Sequence, residues 1–389
     1  MHQQPIALYI HIPFCQTKCT YCNFNTYARL DGLIPQYVPA LAAEIAAWGE
    51  ALEHPQVATV FFGGGTPSWI PPHLLAQALH AARASFNVRA DAEITMEMNP
   101  GDVTPERLAA WRGMGVNRLS MGVQSFDDAM LRFLTRRHTA AEAVAAYRRA
   151  RQAGFADVSL DLIYGLPHQT QTQWRDGLRE ALDLAPNHLS LYALTVEEGT
   201  PLHAQVQAGQ APHADADAAA DMYLAAEELL AQAGYRHYEI SNWAMPGHEC
   251  RHNLAYWRND PFLGVGPGAH SYLGGQRFWN INSPSDYTRR MQQPRAGRWM
   301  PDAIPVVEER TSLSDEDKLS ETAILALRLD DGLSPAALEA TFGGSAHRIA
   351  DTLRSLAPAG LVVEDAGLFR LTTKGRLLSN EVFVRLLPA

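Results

Sequence analysis

Residues 8–22 read LYIHIPFCQTKCTYC: a short apolar run with β-branched residues, a Pro-Phe step, then three cysteines spaced C-x3-C-x2-C. The run predicts a buried strand over 8–12, with the cysteines in the loop directly after it. Three thiolates in one loop can hold three corners of a cubane iron–sulfur cluster and leave the fourth iron open to another ligand. A closed zinc site competes with that reading, because His11 or Cys250 could supply a fourth ligand, although nothing in the local spacing asks for either. Thiols that merely pack are the third reading. The remaining cysteine, Cys250, lies far along the chain, so the set does not suit a disulfide scaffold and predicts a reducing, cytoplasmic setting.

Outward from this strand, similar runs recur at 57–62, 94–98, 118–123, 158–163 and 189–194. Ala-, Glu- and Arg-rich stretches of helical spacing lie between them, as at 37–53, 105–114 and 140–153. Alternation of this kind predicts parallel βα units, about six of them, too few to close an eight-stranded barrel. The expected fold is therefore α/β, an open partial (β/α)6 TIM-like barrel over residues 1–200, with its site in the loops after the strand C-termini. Residues 201–305 form an expected α+β annex: a helix over 214–233, a stretch at 243–279 dense in Gly, His, Asn and aromatics, and a linker at 283–305. A separate unit is expected over 306–389, with helices at 314–329, 334–341 and 346–359 and a two-stranded wing turning at Asp365, Ala366 and Gly367. That pattern is winged-helix-like. From residue 311 onward it holds eight Lys/Arg against eleven Asp/Glu, which favours protein packing or a lid over DNA.

The 389 residues are 47% hydrophobic, enough for a large core, and 32 Lys+Arg against 42 Asp+Glu give a formal charge of −10. That sign disfavours a nucleic-acid partner. No run reaches the ~18 apolar residues of a membrane span, and the N-terminus has no basic leader region, so a soluble protein is expected, with peripheral membrane contact still compatible.

Polar residues at the expected strand ends suggest a common mouth. Gly63, Gly64, Gly65 and Thr66 follow the second strand, where missing Cβ atoms would let the backbone approach a ligand or simply form a tight turn. Glu97, Gln124 and Asp161 sit on later strands, placed to accept from hydroxyls and an ammonium. Arg136 or Arg137 could face a carboxylate. In the annex, His252-Asn253-Leu254-Ala255-Tyr256-Trp257 offers an imidazole and two flat rings, with the Cys250 thiol two residues upstream. These suit a porphyrin iron and its faces, or a loop-holding histidine beside core aromatics. His270 is a second-rank candidate for the same ligand. The GVGPGAH segment at 264–270 lacks dinucleotide-loop spacing and is expected to be a turn wall. Trp243, Tyr272 and Trp279 are expected to pack the annex.

The cysteine loop with GGGTP after the second strand resembles the radical S-adenosylmethionine (SAM) superfamily. That resemblance implies a [4Fe-4S] cluster on Cys15, Cys19 and Cys22, with SAM chelating the open iron through its amino and carboxylate groups. It also implies SAM contacts from Tyr9, Tyr21, Gly64, Gly65, Thr66, Glu97, Gln124, Arg136 and Asp161, with Tyr21 at the adenine. The phrases GGGTPS, EMNPGD, GVQSF, DLIYGLP and LYALTVEEGTPL extend the resemblance to the HemN/HemW group, which holds oxygen-independent coproporphyrinogen III dehydrogenases and heme chaperones. The dehydrogenases carry one more cysteine where this chain has Phe24, and a substantial segment before the cluster loop. HNxxYW at 252–257 fits the chaperones. The resemblance thus implies a heme carrier with heme-binding candidates His252, Asn253, Tyr256, Trp257, Cys250 and His270. Its implied partners are acceptor proteins such as those of a respiratory chain, an electron donor for the cluster and a second copy in a homodimer. No catalytic residue is assigned. Oxidative decarboxylation of coproporphyrinogen III is the alternative.

Overall fold

A computed structural model describes residues 4–294 and 297–388. The six expected strands all form: β1 Ile6–Ile12, β2 Gln56–Gly64, β3 Asn87–Met98, β4 Arg118–Gln124, β5 Asp157–Tyr164 and β6 His188–Ala193. They pair in that order and in parallel. Helices α1 Ile34–Ala51, α2 Pro72–Ser85, α3 Pro105–Met114, α4 Ala140–Gln152 and α5 Gln171–Asp183 make the crossovers. Local sequence sets their ends. Thr139 with Glu142, and Thr170 with Gln173, form capping boxes at α4 and α5, while Gly115 takes the left-handed C-cap of α3.

Beyond residue 201 the sheet continues. Helix α6 Ala216–Gln232 packs on α5, and β7 Arg236–Glu239 and β8 Asn242–Ala244 extend the sheet antiparallel past β6. After α7 Arg251–Trp257, strand β9 Phe262–Val265 returns to pair in parallel with β1 on its other side. It carries the first part of GVGPG, expected to be a turn wall. All four of its residues are buried, and a Cβ on Gly264 would strike the His270 carbonyl. Then β10 His270–Leu273, β11 Gln276–Asn280 and β12 Val307–Ser312 add an antiparallel arm. The order is β12-β11-β10-β9-β1-β2-β3-β4-β5-β6-β8-β7, so the barrel is open and no hydrogen-bonded ladder closes it.

The stretch 283–305 differs from the expected linker. It contains α8 Pro284–Met291, whose Pro284, Tyr287, Thr288 and Met291 are buried and which packs along α1. Spacing of i, i+3, i+4 and i+7 puts those four on one face, and the Arg residues point away. Residues 295 and 296 of that stretch lie outside the described residues. Strand β12 also keeps 307–312 within the main sheet. A second hydrophobic core gathers on α9 Asp315–Leu327, α10 Pro335–Phe342, α11 Ala346–Leu356 and a hairpin, β13 Val362–Asp365 with β14 Leu368–Leu371. Positive φ at Ala366 and Gly367 gives the two-residue turn of that wing.

Candidate functional site

Strand β1 delivers the cysteine loop to the mouth of the barrel. Tyr27 N donates to Pro13 O, Lys18 Nζ donates to Thr26 O, and Asn25 Nδ2 donates to Pro267 O and Asn282 O. These bonds fix a loop whose own side chains cannot build a core. All four cysteines are free thiols. Cys15 Sγ accepts from Thr66 Oγ1 at 3.4 Å, and Cys19 Sγ accepts from Arg136 Nη1 at 3.4 Å. Burial pushes the Cys15 thiol up, against the Thr66 hydrogen bond. Both contacts suit thiolates that need charge-assisted donors.

Neither candidate for a fourth zinc ligand is available. His11 has Nδ1 3.1 Å from Tyr9 Oη and Nε2 2.9 Å from Asn25 O, and burial lowers its pKa to about 4. Cys250 Sγ points to Glu93 Oε1 at 3.6 Å. Among the described residues no three His, Cys, Asp or Glu side chains are grouped to hold a single metal ion. With Thr66 and Arg136 donating to two of the sulfurs, the residues present fit a cluster held by three thiolates.

The thiols open onto a cavity of about 540 Å³ inside the barrel. Its walls include Tyr21, Gly64, Gly65, Thr66, Glu97, Gln124, Arg136 and Asp161, so the expected SAM residues converge there with the exception of Tyr9. Tyr9 stands behind the wall, its ring against Phe61 and its hydroxyl on His11. The period-2 rise of the strands produces this convergence. Register pairs Glu97 with Ser120, and Gly122 with Asp161, then Asp161 with Ser190, all on one inward face. Asp161 is thus in the middle of β5, and Gln124 closes β4 with a left-handed φ of +68° beside a register shift. A non-glycine residue there is strained, which is characteristic of functional rims.

Charge in the cavity is poised. Burial, and then Asp161, push the Glu97 carboxyl up to about 8, opposed by the Gly64 N–H at 3.0 Å. Burial also raises Asp161, although Ser120 Oγ donates at 2.8 Å and Ser159 Oγ at 3.3 Å. Burial works against the Arg136 charge, yet Tyr21 and Cys19 outweigh it and hold its pKa above the ordinary arginine value. Its Nη2 donates to Gly122 O at 2.7 Å, and its buried Nε has no partner among the described residues. That orphaned donor fits a ligand carboxylate. Arg137 is occupied elsewhere, donating to Asp102 Oδ1 at 2.9 Å and to Gln16. The glycines are needed for a different reason than direct ligand approach: a Cβ on Gly65 would lie 2.7 Å from Phe14 O and 2.8 Å from Ile12 O, and Gly64 has φ +109°. The second strand must pass tightly under the cysteine loop.

The HNxxYW segment forms α7 and makes part of the inner wall. His252 is 1% exposed; its Nδ1 lies 2.7 Å from Thr59 Oγ1, its Nε2 2.9 Å from Tyr256 Oη, and its ring stacks on Phe61 at 5.0 Å. Burial lowers its pKa to about 3, so it is neutral with both nitrogens engaged. Tyr256 also packs edge-on against Phe262. Trp257 lies under the Arg328 guanidinium, 4.2 Å away. Of the six heme candidates, Cys250 and Asn253 line the cavity. Burial, then Glu93, push the Cys250 thiol up to about 12. His270 is exposed on the antiparallel arm and stacks on Trp279 at 5.5 Å. Trp243 is buried against His237, and Tyr272 carries the Arg277 guanidinium at 4.8 Å.

The cavity also uses residues that the strand-end reasoning passed over. Arg118, Ser159, His188, Ser190 and Tyr192 all line it. Their signal was present as polar residues at every second position, 118-120 and 188-190, within otherwise apolar strands.

Two family models match parts of the chain. Residues 9–181 match the Radical SAM superfamily, and residues 313–378 match the HemN C-terminal domain. The chain is 38% identical over 390 residues to a protein of Mycobacterium tuberculosis named heme chaperone HemW, covering 100% of this chain and 96% of that one. It is 36% identical over 408 residues to a Synechocystis protein of the same name, covering 99% and 97%. The structure of coproporphyrinogen III oxidase (HemN) from Escherichia coli, described as a radical SAM enzyme, superimposes with a TM-score of 0.85 at 26% identity, covering 99% of this chain and 91% of that one. Matched over its full length at 36–38% identity by proteins of that name, with its first half on the superfamily model, the chain belongs to the radical SAM superfamily, in the HemW family.

Proposed function

We propose that the protein is a heme chaperone that binds a [4Fe-4S] cluster on Cys15, Cys19 and Cys22, SAM beside it, and heme, which it hands to acceptor proteins. The observation that carries this reading is a helix with the HNxxYW signature in the wall of the same cavity onto which the cysteine triplet opens. When bound, the cluster would supply reducing electrons from an external donor and an open iron for SAM. Within the protein, Arg136 would face the SAM carboxylate through its unpartnered Nε, Glu97 and Asp161 would take the amino N–H groups and hydroxyls, and Gln124 would close the rim.

Heme has two candidate ligands here, each engaged elsewhere as the protein stands. Cys250 faces the cavity and must lose its proton, whereas His252 must leave Thr59 or Tyr256. Phe24, 64% exposed at the cavity rim, stands where the related dehydrogenases carry a further cysteine, and this favours transport over decarboxylation. The setting is the cytoplasm, with acceptors reached by surface contact; among the described residues no helix is long and apolar enough to cross a membrane.

The test is anaerobic reconstitution followed by titration with heme and with coproporphyrinogen III. Stoichiometric heme uptake and transfer to an apo-acceptor are expected. Conversion of coproporphyrinogen III to protoporphyrinogen IX would overturn the reading.

A further inference from the structure

Helix α7 has seven residues, too few to persist without outside support. Each end is held by a different part of the chain. At its N-terminus the buried Glu93 carboxylate accepts from Arg251 N at 3.1 Å and from His252 N at 3.0 Å, tying it to the third strand of the barrel. An acidic group there satisfies donors that the helix leaves open. Its C-terminus is held by the C-terminal domain. Arg328 lies 4.2 Å over the Trp257 ring and 3.7 Å from Glu239 Oε2. Arg258 pairs with Asp331 at 3.4 Å, and Asn259 Nδ2 donates to Thr322 Oγ1 at 3.2 Å.

This junction is poorly satisfied. Trp257 Nε1, Glu239 Oε2, Asn242 Oδ1 and Arg328 Nε are buried without a hydrogen-bond partner among the described residues. Each unmet atom costs stability locally, while the same two parts are tied elsewhere by Arg236 with Asp331 at 2.8 Å, Arg376 with Glu227 at 3.0 Å and Arg277 with Glu321 at 2.6 Å. The hydrophobic cores on its two sides are separate. Ile240 is the barrel-side residue packed against the second core, so a displacement of the C-terminal domain would disturb that contact and carry the Arg328 plane off Trp257.

We propose that Arg328 is a positioning residue for the HNxxYW helix, through which the C-terminal domain sets the placement of the inner cavity wall formed by Cys250 and Asn253, with His252 packed behind it. Binding in the cavity and contact of an acceptor with the C-terminal domain are then linked through one stacked pair. The helix bears on both: His252 packs on Phe61, a cavity residue, one turn before Trp257 meets Arg328.

The proposal rests on the heme-carrier reading for one of its two readouts. Arg328→Ala, Arg328→Lys and Trp257→Phe are compared with the parent protein after anaerobic reconstitution. Amide hydrogen exchange over residues 251–257 is expected to accelerate at least tenfold in Arg328→Ala and to stay near the parent rate in Trp257→Phe, which keeps a ring face for the guanidinium. Heme affinity is expected to fall about tenfold in Arg328→Ala with a changed heme absorption spectrum, while iron, sulfide and SAM binding stay at parent levels. Arg328→Lys should restore part of both, since it keeps charge but loses the flat stacking surface. Should Arg328→Ala fail to fold, the Lys variant carries the test, with intermediate exchange expected. Parent-like exchange and parent-like heme binding in the Arg328 variants would overturn the proposal. A parent protein that takes up no heme would overturn the carrier reading alone and leave the exchange result to decide the coupling.

Discussion

His252 Nδ1 lies 2.7 Å from Thr59 Oγ1, so the motif histidine is hydrogen-bonded to the second strand of the barrel across 193 residues of sequence. The bond competes with any metal for that nitrogen. Thr59→Val leaves a buried imidazole nitrogen without its partner, expected to cost about 1–3 kcal/mol in a denaturant titration. Heme uptake should survive the change, because the freed nitrogen gains no rival. His252→Ala should lose uptake with the cluster intact. Unchanged uptake in the alanine variant would take His252 out of the ligand set.

The four thiols are expected to separate into two classes. Cys22→Ala should lose most iron, sulfide and broad visible absorption after anaerobic reconstitution, because two protein ligands hold a cubane poorly. Cys250→Ala should retain all three, since that thiol is tied to Glu93. Iron and sulfide analysis of the two variants checks the assignment.

Glu97 gives SAM binding a pH dependence. Its carboxyl is pushed up to about 8 by burial and by Asp161, so at neutral pH it is largely protonated. A cationic ligand favours the ionised form, and binding must release that proton. SAM affinity is therefore expected to rise with pH and level off above about 8. Equilibrium binding at stepped pH reads the slope directly, and Glu97→Gln should flatten it and weaken binding. An equal slope in that variant would assign the proton elsewhere.

Glu44 makes a separate contribution to stability. It is buried beneath the antiparallel arm and accepts from Trp48 Nε1, Asn280 Nδ2, Gly266 N and Tyr287 Oη. Burial still raises its pKa to about 7 against those four donors, compared with about 4.3 in an unfolded chain. The folded state therefore holds the proton more tightly. The associated stability is fully present below the unfolded value and is lost as pH rises through about 7. Thermal unfolding from acid to neutral pH should show this decline, and Glu44→Gln should show a shallower one. Glu97 and Asp161 are raised in the same direction, so the difference between the two proteins is the quantity to compare.

Much of this architecture was legible because the barrel strands read as short runs rich in apolar residues, bounded by clear caps. The cysteine loop could be placed because its strand is unambiguous. Harder features depended on contacts that no local pattern carries. The end of strand β9 looked like a turn since GVGPG matches turn chemistry, yet Gly264 is there to let the His270 backbone pass close by. Helix α8 was hidden by its Arg-rich exposed side, although Tyr287 and Met291 share one buried face. His252 could be read either as a ligand or as a loop-holding residue. In this structure both of its nitrogens are engaged, one by Tyr256 of the same motif and one by Thr59, which the motif does not mention. Arg328 was invisible at the sequence level, since its partner Trp257 is 71 positions away.

Strand β1 lies between β2 and β9, and β9 begins only at Phe262. During synthesis on a ribosome, the first strand therefore waits with one neighbour until two thirds of the chain has emerged. The cysteine loop is bound to the same late segment through Asn25, which reaches Pro267 and Asn282. Its three sulfurs are thus carried by an unfinished edge for most of translation, and the nascent chain acquires a fixed thiol geometry only once residues 262–282 have emerged.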